Sequence, residues 1–141
     1  MREILFKAKR IDNGEWVEGC CTECSGKTFV GIDISSMFEI FCAPVIRWFE
    51  ADPETLCQFT GLCDKNGNKI WENDIVTCQT RYGGDIGKVV FHNGKFCVLW
   101  NSTYHYSRNG KCENYYDINA KNSVKGNVFD NPELLQEESD A

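Results

Sequence analysis

Residues 58–76 read Gln-Phe-Thr-Gly-Leu-Cys-Asp-Lys-Asn-Gly-Asn-Lys-Ile-Trp-Glu-Asn-Asp-Ile-Val. The dipeptide Asn66-Gly67 accepts positive φ angles and therefore favours a tight hairpin turn. Residues 72–74 are a second polar group between apolar residues and predict another turn. The stretch thus predicts a strand, a turn, a strand, a second turn and the start of a third strand. It contains no nucleophile–base pair, no phosphate-binding loop and no metal-ligand spacing.

Two further hairpins are predicted on either side of this stretch. Asp12-Asn13-Gly14 separates the alternating residues 2–10 from a return strand that begins at Glu15. Asn93-Gly94 separates two apolar runs in the same way. Strand–turn–strand units this close together predict a small antiparallel barrel.

The remaining segments are less regular. Strands are predicted over residues 27–32, 37–43, 45–50 and 123–129, a polar loop over 101–112, and a short helix or irregular crossing over 113–122. Asp52-Pro53-Glu54 and Asn131-Pro132-Glu133 each combine a capping side chain with a proline at the first helical position. Both therefore predict single helical turns.

The composition limits the possible functions. With 141 residues, 42% of them hydrophobic, the chain can form one domain or two small subdomains without a partner. Its net charge of -6 disfavours a protein that holds nucleic acid by its phosphates. Only a folded patch that gathers Lys7, Lys9, Arg10 and Arg81 would change this expectation. Neither a signal peptide nor an apolar membrane span is apparent, so we expect a cytoplasmic protein with no membrane contact.

Nine cysteines are a high number for such a chain. In the cytosol thiols stay reduced, so we interpret them mainly as small core hydrophobes. Cys21 and Cys24 form a C-x-x-C pair without a second pair, and only His92 and His105 could complete a zinc site. We therefore predict no metal and no cofactor, although metal binding by this pair stays an open alternative.

Four segments together resemble the YopX family, proteins encoded by bacteriophages and prophages. They are Arg2-Glu-Ile-Leu-Phe-Lys-Ala-Lys through Gly14-Glu-Trp-Val-Glu-Gly19, Asp52-Pro-Glu-Thr-Leu with Gln58-Phe-Thr-Gly-Leu, Asp64-Lys-Asn-Gly-Asn-Lys-Ile-Trp-Glu-Asn-Asp-Ile-Val76, and Gly126-Asn-Val-Phe-Asp-Asn-Pro-Glu-Leu-Leu135. Each segment alone is a common turn motif, but four in order are specific. Cys57 and Asn73 depart from the family pattern, because glycine is usual at both positions. Asparagine tolerates the left-handed region, so the turn at Asn73 should survive.

The resemblance implies a phage or prophage gene and a mainly β fold with few short helices. It implies a small antiparallel sheet or hairpin in the N-terminal part, residues 1–50, and an SH3-like β-barrel in residues 51–141. The two parts could also form one integrated domain. The resemblance implies no established activity, so no catalytic or cofactor-binding residue is carried over.

The sequence therefore favours a non-enzymatic β-barrel module that binds proteins. The expected partners are a second copy, in a homo-oligomer, and a host or phage protein. The alternative is an accessory nucleic-acid-binding protein in phage replication or gene regulation. Tyr104, His105, Tyr106 and Arg108 are the candidate partner-binding residues, as an aromatic tip on the polar loop; an ordinary exposed loop is the competing interpretation.

A few side chains have simpler explanations. Glu72 and Asp74 are expected to cap backbone N–H groups, since they flank a turn. The four tryptophans, Trp16, Trp48, Trp71 and Trp100, are expected in the core or in a subunit interface. Any functional surface is expected within residues 20–48 or 101–118, away from the stretch 58–76.

Overall fold

The computed structural model describes residues 3–38, 43–80, 83–101, 113–119 and 121–135. It confirms the mainly β class. The strands are β1 (Phe6–Lys9), β2 (Trp16–Cys24), β3 (Lys27–Asp33), β4 (Ile46–Ala51), β5 (Cys57–Cys63), β6 (Lys69–Trp71), β7 (Asp74–Thr80), β8 (Gly83–His92), β9 (Lys95–Asn101), β10 (Glu113–Asp117) and β11 (Val124–Asn127). Helical structure among the described residues is limited to three 3-10 turns, η1 (Ser35–Met37), η2 (Pro53–Thr55) and η3 (Pro132–Leu135).

The chain divides into two compact units, Met1–Phe59 and Thr60–Ala141. The boundary falls inside β5, so the chain passes from one unit to the other along a strand. The predicted division into residues 1–50 and 51–141 stays a prediction.

The first unit contains the strands β4-β3-β2-β1-β5, in that order, of an antiparallel sheet whose sixth strand is β6, next to β5. β2 is long because it serves two partners: Trp16–Gly19 pairs with β1, and the segment from Cys20 onward pairs with β3. Ser25 and Gly26 connect β2 to β3 with φ angles of 54° and 76°, which suit a two-residue hairpin turn.

The ends of β1 and β4 also meet in the first unit. Arg10 bridges Ala51, the Ile11 N–H donates to the Glu50 carbonyl at 3.1 Å, and the Asp52 N–H donates to the Lys9 carbonyl at 2.9 Å. These bonds return the sheet onto itself around an apolar core. The core consists of Ala8, Val17, Val30 and Ala51, with Ile32, Phe49 and Leu56 packed against it.

The second unit contains a five-stranded antiparallel sheet with the order β10-β9-β8-β7-β11. Its core consists of Ile70, Val76, Cys78, Val89, Val98 and Trp100. This strand order does not establish an SH3-like barrel, so that part of the expectation stays a prediction.

Two segments depart at least in part from the structure that the sequence predicts. The helix or irregular crossing over residues 113–122 is wrong for its first half, which is β10. Tyr116 packs on the core while Tyr115 is exposed, and this alternation is typical of a strand. The strand predicted over residues 37–43 does not include Met37, which is the last residue of η1. Residues 39–42 lie outside the described part of the chain.

Backbone geometry explains several of the residues in the stretch 58–76. Gly67 and Asn73 have φ angles of 84° and 69°, which confirms both predicted turns. The buried Asp64 carboxylate accepts the backbone N–H groups of Val124, Asn66 and Asn68 at 3.0, 2.9 and 2.8 Å. These bonds, the one from Val124 first, lower the pKa of Asp64 to about 2.

Asp74 plays a comparable part at the second turn. Its Oδ2 accepts the Trp71 N–H at 2.9 Å, which confirms the prediction that it caps the backbone there. Cys57, where the family pattern has glycine, is buried in β5, and its φ angle is not positive. A side chain is therefore accommodated at this position without backbone strain.

Candidate functional site

The predicted partner-binding residues Tyr104, His105, Tyr106 and Arg108 lie outside the described residues, so that assignment stays a prediction. Arg81, part of the hypothetical basic patch, lies outside them too. Lys7 and Lys9 both place their Nζ over the Trp16 ring, at 4.6 and 5.4 Å from its centroid. Within the described residues, the most distinctive exposed surface of the first unit lies instead along β4.

β4 presents two large apolar side chains to solvent. Ala51 is fully buried, and because strand side chains alternate, Ile46 and Trp48 lie on the opposite, outer face. Trp48 is 44% exposed and Ile46 is 40% exposed. The pairing of Trp48 with Gly31 on β3 explains their position. A Cβ on Gly31 would lie 2.8 Å from the indole ring and 2.7 Å from the Ile46 Cγ2, so both side chains rest directly on the β3 backbone.

β4 is also an edge strand, because β3 is its neighbour on one side only. The Ile34 N–H donates to the Val45 carbonyl at 2.9 Å, which marks that residue pair as hydrogen-bonded. Antiparallel pairs alternate, so the N–H and C=O groups of Ile46 and Trp48 point away from β3. The Glu50 carbonyl also points away from β3, and it accepts a hydrogen bond from the Ile11 N–H. Among the described residues, no backbone partner meets the outward groups of Ile46 and Trp48.

A cleft of about 260 Å³ lies beside this open edge. It is lined by Arg10, Ile11, Asp12, Arg47, Trp48, Phe49 and Glu50. Phe49 forms an aromatic wall, since the guanidinium carbons of Arg10 and Arg47 lie 4.3 and 4.8 Å from its ring centroid. Cations over an aromatic face are attracted by its negative quadrupole.

The charges of the cleft are only partly compensated. Arg10 donates from Nε to the Asp12 Oδ1 at 2.9 Å, and this hydrogen bond lowers the pKa of the Asp12 carboxyl. The Glu50 carboxylate lies 3.8 Å from the Lys27 Nζ. Arg47 has no carboxylate partner among the described residues. The cleft therefore carries one uncompensated positive charge in a protein whose net charge is -6.

The thiols differ from the expectation. Cys57, Cys78 and Cys97 are buried as predicted, but Cys20, Cys24 and Cys63 are exposed, because they occupy solvent-facing strand positions. Cys21 and Cys24 both lie within β2, where residues three apart point to opposite faces. In the described part of the chain, no group of three or more potential metal ligands occurs.

The second unit exposes a separate aromatic group on β8, β9 and β10. The Phe91 and Phe96 rings meet edge-to-face at 5.0 Å, and the His92 and Tyr115 rings stack at 3.8 Å. Phe91 is 58% exposed.

The sequence prediction places Trp48 in the core or in an interface; its exposure excludes the core, and the interface stays a prediction. Trp71 and Trp100 are buried as expected. The signal that could have separated Trp48 was local: an arginine stands between Ile46 and Trp48, and Pro44 precedes them. Charged residues and proline are typical of edge strands.

The comparisons with known proteins support the fold. The YopX protein family model matches residues 5–136, nearly the whole chain, which confirms the resemblance found from the sequence. No curated protein matches the chain. The crystal structure of protein EF1440 from Enterococcus faecalis is similar, with a TM-score of 0.53, 18% identity, and coverage of 96% of this chain and 100% of that one. At this identity the likeness concerns the fold alone. Within the described residues, no helix has the length and apolar character that a membrane crossing requires.

Proposed function

We propose that this chain, which belongs to the YopX protein family, is a non-enzymatic module that binds other proteins through the open edge of β4. The observation that carries the proposal is the combination of outward backbone groups with exposed Ile46 and Trp48 on the same strand. Exposed edge strands are templates for pairing with another chain. Tryptophan and arginine are enriched among the residues that dominate binding energy in interfaces.

The cleft fits a protein partner better than a small substrate. Small-molecule sites usually enclose roughly 300–1,000 Å³, and this cleft of about 260 Å³ falls below that range. Its polar residues are arginines and carboxylates that already pair with cations, with no nucleophile beside a general base. This composition suits the docking of a side chain and supports a binding role.

We place the protein in the cytoplasm of a bacterial host, as a phage- or prophage-encoded component. Its partner is a host or phage protein, or a second copy of this chain.

Selection from a random peptide library displayed on a carrier tests the proposal. We expect enriched peptides that bind the wild-type chain and lose at least about tenfold in affinity on Trp48→Ala, as interface tryptophans often do. Phe91→Ala is the matched control, since it removes an exposed aromatic ring from the second unit, and it should leave binding unchanged. A library that yields no binder would refute the protein-binding role. Binders that are insensitive to Trp48→Ala would refute the site.

Nucleic-acid binding is the second candidate, and the aromatic group on β8–β10 favours it. Bases stack on exposed aromatic rings, and Phe91 and Tyr115 are exposed. Against it, the nearby Lys95 already pairs with Asp117 at 2.7 Å. Fluorescence anisotropy with a single-stranded oligonucleotide at low salt tests this candidate. It requires binding that weakens steeply with salt and that falls on Phe91→Ala but not on Trp48→Ala.

A further inference from the structure

The geometry points to one kind of occupant for the β4 edge: an extended segment of another protein, with an acidic residue between two apolar residues, added antiparallel to β4. Three observations support this occupant. They are the outward direction of the backbone groups of Ile46 and Trp48, the positive charge of Arg47, and the poor fit of a second copy of the chain. The inference rests on the proposed function and specifies the chemistry of its partner.

The backbone defines where the segment pairs. The outward N–H and C=O groups of Ile46 and Trp48 can form two hydrogen-bonded residue pairs with an added strand. Beyond Trp48 the edge is closed, because Ile11 already occupies the Glu50 carbonyl. The free edge is therefore short, and the added strand is centred opposite Arg47.

The side chains define what the segment carries. Its residue opposite Arg47 occupies a non-hydrogen-bonded position, where Cβ atoms approach to about 4.5–5.5 Å and opposite charges attract. Since Arg47 is the uncompensated charge of the cleft, an aspartate or glutamate fits there. The two flanking residues of the segment lie opposite Ile46 and Trp48 on the outer face, so apolar side chains fit at those positions.

A second copy of the chain fits this edge poorly in the three antiparallel registers centred on Ile46, Arg47 and Trp48. If the two-fold axis that relates the two copies passes through Arg47, Arg47 of one copy faces Arg47 of the other, and this cross-strand pair of like charges is repulsive. Centring the axis on Trp48 requires the Glu50 position that Ile11 occupies. Centring it on Ile46 pairs Trp48 with Pro44, which has no N–H to donate.

Capped seven-residue peptides with a central glutamate flanked by two valines test the inference on the full-length, ¹⁵N-labelled protein. We expect the backbone amide signals of Ile46 and Trp48 to shift during the NMR titration. A lysine-centred peptide should bind about tenfold more weakly, because attraction becomes repulsion, and this preference should shrink at high salt. In the Arg47→Glu variant the preference should reverse.

Backbone methylation separates strand addition from simple side-chain docking. Methyl groups on the two valine amides remove bonds to Ile46 and Trp48 and should weaken binding at least about tenfold. A methyl group on the central amide, which points away from β4, is the matched control and should change affinity less than about threefold.

The outcomes divide cleanly. Equal affinity for the two central charges, or equal effects of the two methylations, would overturn the inference. A dimer whose contacts shift Ile46 and Trp48 would overturn it in favour of a second copy, and oligonucleotide-induced shifts at these amides would do so in favour of nucleic acid. Library-selected peptides that need Trp48 but lack the acidic residue would overturn the inference while the proposed function stands.

Discussion

Adding one methyl group to Gly31 should disturb both the stability of the first unit and its exposed surface. In the Gly31→Ala variant the new Cβ would meet the Trp48 ring at 2.8 Å and the Ile46 Cγ2 at 2.7 Å. Ordinary carbon contacts lie at about 3.5–4.0 Å, so both side chains must withdraw by roughly 1 Å. Overpacking of this kind costs about 1–3 kcal/mol.

Two effects reduce this cost. Trp48 is 44% exposed and can rotate outward. Gly31 does not have a positive φ angle, so alanine fits its backbone conformation and stabilises the protein by about 0.4–1 kcal/mol, because it lowers the conformational entropy of the unfolded chain. We expect a net loss of about 1–2 kcal/mol in the free energy of unfolding. Urea unfolding followed by the NMR signals of β3 and β4 measures it.

The same substitution in a Trp48→Ala background is the control. There the loss should shrink by at least about 0.5 kcal/mol, because one of the two clashing groups is gone. An unchanged loss in that background, or a Gly31→Ala variant as stable as the wild type, would refute the packing argument.

Four other predictions concern Asp64, Asn73, Ile70 and Arg47. Because the pKa of Asp64 is lowered to about 2, its contribution to stability is complete above pH ~4 and is lost as the pH falls towards ~2. The urea midpoint of the Asp64→Asn variant should therefore fall less than that of the wild type over this pH range. Asn73→Gly should stay within about 0.5 kcal/mol of wild-type stability, whereas Asn73→Ala should lose about 1 kcal/mol at a φ angle of 69°. Ile70→Ala, at a fully buried position, should cost about 2–5 kcal/mol, against less than about 0.5 kcal/mol for the exposed Leu134→Ala. Arg47→Val should raise the weight-average mass with concentration in sedimentation experiments, while Arg47→Lys should not.

The turns were predictable because their requirements are local. Asn66-Gly67, Asn73 and Asn93-Gly94 each need a residue that tolerates positive φ, and the sequence supplies one at each place. The single helical turn at Pro53 follows from capping chemistry in the same way, since the Asp52 side chain accepts the Glu54 N–H. The turn at Pro132 forms as well, but the Asn131 side chain accepts the Asn127 N–H instead of capping it. No distant contact had to be known for any of these predictions.

The closure of the first unit was not predictable in this way. The bridge between Arg10 and Ala51 joins residues 41 positions apart, and neither residue carries a mark of its partner. The exposure of Trp48 has the same origin, because it depends on β4 lying at an edge and on Gly31 lying beneath the indole. The residue type predicts only how buried a tryptophan is on average, whereas the strand order determines how buried this tryptophan is.

An open edge is a hazard for a small β protein, since any extended chain can pair with it. Arg47 and Pro44 limit the hazard: the charge disfavours a like-charged copy, and the proline removes one hydrogen-bond donor from the alternative register. The features that exclude a second copy thus also select a partner, because an acidic residue turns the repulsion at Arg47 into attraction. Specificity then arises from the penalty against the wrong strand as much as from the contacts with the right one.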